Sequence, residues 1–136
     1  MPHIRPSAFL RYALLGDALA SGATGLLAFA GADALAGLLG LPQPLLRYAG
    51  LALLPYGLVV AWLGSRPGVP RGAVWAVVAA NVLWAVDSVV LLASGWVAPT
   101  MLGVAFVIFQ AAAVAAFAAA QAYGLGSNAS ARLLEA

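Results

Sequence analysis

The sequence predicts an all-α integral membrane protein, a four-helix bundle with a short interfacial helix between its first two spans. Three observations carry that prediction. Of the 136 residues, 65% are hydrophobic and 7% charged, and the mean hydropathy is +1.03. That leaves too little charge to clothe a soluble domain of this size. From Ser88 to Ala131 there is no Asp, Glu, Lys or Arg. Finally, the apolar stretches come in lengths close to the ~20 residues that cross ~30 Å of hydrocarbon.

Taken in order, the first span covers about 7–30, entered through Pro6 and the capping hydroxyl of Ser7. Residues 32–40 are too few and too Gly-rich for a span. Asp33 marks a helix start there, and Leu35, Leu38 and Leu39 share a face, the pattern of a helix lying on the membrane. The second span covers about 45–64, after Pro42 and Pro44. A third covers about 72–94, and the fourth about 99–123. Residues 124–136 read as a small, polar, flexible tail. No hydrophilic block is long enough to fold apart, so the whole chain is expected to form a single membrane domain.

Charge supplies the expected orientation. Arg5, Arg11, Arg66, Arg71 and Arg132 fall on one side of a four-span chain and Arg47 on the other. The positive-inside rule then puts both termini in the cytoplasm, at a cell inner membrane. The all-arginine basic set hints at a bacterial origin. Asp17 interrupts the apolar run behind Arg5 and Arg11, which argues against a cleaved signal peptide. A net charge of +2 gives no footing for nucleic acid. Without cysteine, disulfides and thiolate metal sites are excluded. His3, beside the N-terminus, is the one histidine, so no metal or haem centre is expected; quinone or lipid are the ligands such a chain could take.

Ionisable groups inside apolar spans are the candidates for function. An acid at the centre of a bilayer costs roughly 2.5–3.5 kcal/mol on insertion scales, and two occur here, Asp17 and Asp87. Asp17, Ser21 and Thr24 share one face of the first span. Counting at ~1.5 Å per residue puts Asp17, Asn81 and Gln110 in one layer near the midplane. Tyr56 follows Pro55, which interrupts the backbone ladder of span two, and its hydroxyl could reach that layer. Trp84 shares a face with Asn81. These five residues (Asp17, Asn81, Gln110, Trp84 and Tyr56) form the expected ligand or proton site. Asp87 lies nearer the outer side, where Arg47 is its expected ionic partner. In span four, Ala111, Ala115 and Ala119, with Ala112, Ala116 and Ala120, repeat every four residues and suit close packing within the bundle or between protomers.

The layout resembles the DoxX-like group of small four-span bacterial membrane proteins. Leu15-Gly16-Asp17, Leu39-Gly40-Leu41-Pro42 and Leu46-Arg47-Tyr48-Ala49-Gly50 carry the likeness. Some members of that group are associated with quinone-linked redox complexes, and the resemblance brings over no catalytic residues. The expected role is therefore non-enzymatic: lipid-like ligand binding, or service as an accessory subunit in a homo-oligomer or larger membrane complex. The alternative is an oligomeric proton-coupled carrier centred on Asp17.

Overall fold

The structure, a computed structural model, describes residues 3–135, with side chains as far as Asn128. It is all-helical apart from one short strand pair. The order is β1 (His3–Ile4), α1 (Ala8–Ala30), α2 (Ala32–Leu39), α3 (Gln43–Ser65), β2 (Val69–Pro70), α4 (Arg71–Ala93) and α5 (Met101–Glu135). Four of these helices, α1, α3, α4 and α5, are long and apolar enough to span a membrane. The 23-residue helices reach about 34 Å.

Local signals set the helix ends. Ser7 caps α1 by accepting the Leu10 N–H at 3.2 Å. α2 closes on Gly40, whose φ of +66° favours a residue without a Cβ. Thr100 opens α5: its hydroxyl accepts the Gly103 N–H at 3.1 Å and donates to the Leu38 carbonyl at 2.9 Å. One side chain thus begins α5 and fastens it to the end of α2. α3 runs unbroken through Pro55.

Polar groups are buried beside an apolar core, and many large apolar side chains face outward. Asp17, Ser21, Asn81, Ser88 and Gln121 are buried, while Leu19, Leu58 and Phe109 are about three-quarters exposed, at 75%, 74% and 76%. Such an outer surface suits hydrocarbon and not water. Two apolar clusters fill the ends of the molecule. One, beside the chain termini, includes Leu10, Leu14, Val60, Leu63, Val74 and Leu125. The other, at the far end, includes Leu39, Leu41, Leu46, Val97 and Val107.

Close approach of α1 and α3 depends on glycine. Gly50, Gly57 and Gly64 recur every seven residues along α3 and face α1. A Cβ on Gly50 would lie 2.6 Å from the Gly25 carbonyl oxygen and 2.5 Å from the Phe29 nitrogen, which leaves no room for a side chain. α4 packs along α5, and α1 joins the two pairs by packing against α5. α3 and α4 have far fewer contacts and stand apart across cavities.

The terminal end is latched. β1 pairs antiparallel with β2, His3 opposite Pro70. The Arg11 guanidinium donates to the Gly64 carbonyl at 2.8 Å and the Arg66 carbonyl at 3.2 Å, occupying free acceptors at the end of α3. Asn128 donates to the Arg5 carbonyl at 2.6 Å and accepts the Ser7 N–H at 3.2 Å.

Two sequence expectations change here. The stretch expected to be a flexible tail continues α5 as helix to Glu135, and Asn128 within it ties down the N-terminal segment; Ala136 lies outside the described residues. Of the two readings of the alanine stripes, packing within the bundle does not hold for Ala112, Ala115, Ala116 and Ala119, which are exposed, while the reading between protomers is untouched. The inward seam instead alternates steps of four and three through Val107, Ala111, Val114, Ala118, Gln121 and Leu125, the spacing of helices packed side by side.

Candidate functional site

Two polar networks occupy different levels of the molecule. The first centres on Asp17, which is 0% exposed. Its Oδ2 accepts from Asn81 Nδ2 at 2.8 Å, Gln121 Nε2 at 2.8 Å and the Tyr56 hydroxyl at 3.1 Å. The Ser21 hydroxyl, one turn along α1, donates to Oδ1 at 3.1 Å. Around the carboxyl, Asn81 Nδ2 also donates to Gln121 Oε1 at 3.2 Å, and the Tyr56 hydroxyl lies 2.9 Å from Asn81 Oδ1. A hydroxyl has one proton, so Tyr56 serves one of its two acceptors at a time.

All four long helices contribute to this cluster, and no cation does. Asp17 is surrounded by neutral donors, which replace the hydration an acid would otherwise lose on burial. No buried side-chain nitrogen or oxygen is left without a partner among the described residues. Interhelical hydrogen bonds in membrane proteins average about 0.6 kcal/mol each. Several converging on one group fix the mutual register of four helices, which single bonds of that size do not.

The second network lies toward the far end. Trp84 Nε1 donates to Gln110 Oε1 at 2.7 Å. Gln110 Nε2 donates to the Ser88 hydroxyl at 2.9 Å and to the Val107 carbonyl at 2.8 Å, and Ser88 donates to the Trp84 carbonyl at 2.7 Å. This chain braces α4 against α5 and forms part of a cavity wall.

That cavity, about 440 Å³, lies between α3 and α4, within the range of small-molecule sites. Leu46, Leu53, Leu91, Phe106 and Val107 give it a mainly apolar lining, with Thr24, Asp87, Ser88 and Gln110 as its polar members. A second cavity of about 190 Å³ adjoins it through the shared residues Leu53 and Trp84, and is also lined by Ser21, Tyr56 and Asn81. Together they form a cleft with an apolar upper part and a polar floor. The floor is the outward side of the Asp17 cluster.

Among the residues singled out from the sequence, Asp17, Asn81 and Tyr56 come together in the first cluster, and Trp84 lines the cleft beside them. Gln110 is not in the Asp17 layer. Its place is taken by Gln121, which the sequence reading missed. Ending span four near Tyr123 put Gln121 at a boundary, whereas α5 continues well past it and makes it interior. The buried seam along α5 was the signal that could have found it.

Asp87 and Arg47 do not pair. Arg47 lies 3.6 Å from Asp33, both exposed, because α2 brings Asp33 beside the start of α3. Asp87 faces the cleft instead, with neither a hydrogen bond nor an ion pair among the described residues. No group of three or more His, Cys, Asp or Glu able to hold a metal occurs among the described residues. In comparisons with known proteins, no family model matches the chain, and no curated protein or solved structure matches it.

Proposed function

We propose that this chain is a multi-pass protein of a bacterial inner membrane, with both termini cytoplasmic, that holds a lipid-like ligand in the cleft between α3 and α4 without catalysing a reaction on it. The cleft carries this reading: an apolar cavity of about 440 Å³ above a polar floor, flanked by helices whose outer faces are apolar. An amphiphile dissolved in the bilayer enters such a site sideways, leaving hydrocarbon for hydrocarbon while its polar end meets the wall.

Placement in the membrane follows from charge and aromatics. Arg5, Arg11, Arg66 and Arg71 cluster at the end that holds the N-terminus, and Arg47 lies at the other. Trp62 and Trp75 are exposed near the first end and Trp96 near the second, as interfacial belts require. The resemblance to DoxX-like proteins, some of which are associated with quinone-linked redox complexes, adds a quinone to the ligands considered. The exposed alanines of α5 offer a face where a second copy or a larger complex would pack.

The carrier reading has one observation in its favour. Tyr56 and Asn81 belong both to the Asp17 cluster and to the cleft floor, so Asp17 stands one hydrogen bond from the cleft. Its complete burial counts against a carrier in this conformation.

Ligand binding is tested with Trp84 as reporter. The other three tryptophans, Trp62, Trp75 and Trp96, are replaced by Phe, and bromododecanol is titrated into the protein in dodecyl maltoside. Saturable quenching of Trp84 is expected, and Ala49→Phe, which fills the cavity, should abolish it. A linear, unsaturable response in both proteins would remove the ligand-binding reading.

A further inference from the structure

We propose that the cleft selects amphiphiles with a positively charged head, an alkylamine or alkyl quaternary ammonium, and that Asp87 is the residue that recognises the charge. The inference rests on the ligand-binding reading above and adds the class of ligand.

It begins from an imbalance among the acids. Asp17 is surrounded by four donors, and Asp33 has Arg47. Asp87 has no partner among the described residues, yet it stands on α4 in a span where an uncompensated carboxylate is costly. It lies six residues before Ala93, about 9 Å along the axis from the end of α4. A cationic ligand head compensates it there; a neutral one does not.

The wall around it has the same bias. No basic residue lines the cavity. The Trp84 indole N–H and the Gln110 amide N–H groups are already committed within their own network. What remains is the Asp87 carboxylate, the second lone pair of Gln110 Oε1 and the neutral hydroxyls of Thr24 and Tyr48, so the one charge in the wall is negative. A head with net negative charge would meet a like charge with no cation in the wall to offset it, which disfavours anionic lipids. Tyr48, Trp84 and Phe106 also line the cavity, and aromatic faces attract ammonium groups, with indole the strongest. The chain of such an amphiphile lies along Leu46, Leu53 and Val107.

The test uses the same Trp84 reporter in dodecyl maltoside with two quenchers of equal chain length, bromododecyltrimethylammonium and bromododecanol. Each is titrated into the reporter protein and into its Asp87→Asn and Asp87→Glu forms. Asp87 is exposed and makes no hydrogen bond, so Asn replaces it without disturbing the fold. The expected result is tighter binding of the cation than of the alcohol. Asp87→Asn should weaken the cation at least tenfold and the alcohol less than twofold, and Asp87→Glu should restore most of the loss. An unchanged cation affinity in Asp87→Asn overturns the assignment. Binding of the alcohol without the cation also overturns it and leaves the cleft reading standing. If neither quencher binds the reporter protein, both fail.

Discussion

The two acids inside the spans have opposite surroundings, and the difference separates two halves of the molecule. In the half nearer the termini, Asp17 is enclosed by donors from all four long helices. In the far half, α3 and α4 part, and Asp87 faces a cavity without a partner. A buried polar group is tolerable when every lone pair is met and costly when one is not. The closed half meets that condition internally. The open half has no such closure: Asp87 is exposed at the cleft, so whatever fills the cleft is what meets its carboxylate.

The largest effect should come from breaking the closed half. Asp17→Ala removes the acceptor shared by Asn81, Gln121 and Tyr56, and is expected to cost about 2–4 kcal/mol, read as thermal unfolding in detergent. Asp17→Asn should cost less than about 1.5 kcal/mol, because the amide can present its oxygen to Asn81 and Gln121 and its NH₂ to the Ser21 hydroxyl. An unchanged melting point for Asp17→Ala would mean that the cluster does not hold the helices together. Asp17→Asn also sharpens the functional contrast: if Asp17 works as a carrier acid, proton-driven uptake into liposomes stops, and uptake that continues unchanged ends that reading.

Next in size is the α1–α3 seam that the two halves share. Gly50→Ala puts a methyl against the backbone of Gly25 and Phe29 and should destabilise by about 1–3 kcal/mol. Gly22→Ala has open space around the new methyl and should change stability by less than about 1 kcal/mol. Equal melting points for the two variants would show that the helices can separate without loss. The smallest effect belongs to Arg47→Ala, whose exposed pairing with Asp33 should be worth less than about 1 kcal/mol. A drop of twice that size would mean that Arg47 supports the open half in some further way.

How much of this was legible beforehand differs between the two halves. Four membrane-length helices followed from hydropathy. That Asp17 and Asn81 share a level followed from counting residues inward from one end, because α1 and α4 have well-marked starts near Ser7 and Arg71, while Tyr56 entered as a hydroxyl in the middle of its span that needs a partner. α5 has no such mark: its apolar residues pass into small ones with no charge before Arg132. Depth along it was therefore misjudged, and Gln110 was placed in the layer that Gln121 occupies. The two are eleven residues apart, about 16 Å along a helix. The cleft was not legible at all. It depends on which helix pairs lie close, and that is decided by glycines at 50, 57 and 64, a period that hydropathy does not register. The expected Asp87–Arg47 pair failed for a related reason. Depth fixes how far along the membrane normal a residue lies, while the direction in which it points depends on packing.

The Asp17 cluster also bears on how the protein is made. Its partners from other helices come late in the chain: Tyr56 is 39 residues downstream, Asn81 is 64 and Gln121 is 104. At about 5–20 residues per second, a chain inserted as it is synthesised leaves Asp17 without Gln121 for roughly 5–20 s. Through that interval Ser21 is the donor always within reach, four residues along the same helix. In a chain that enters a membrane as it is made, α1 therefore waits with its acid mostly unsatisfied. It settles only when α5 arrives with Gln121, which makes the docking of α5 the step that commits the fold.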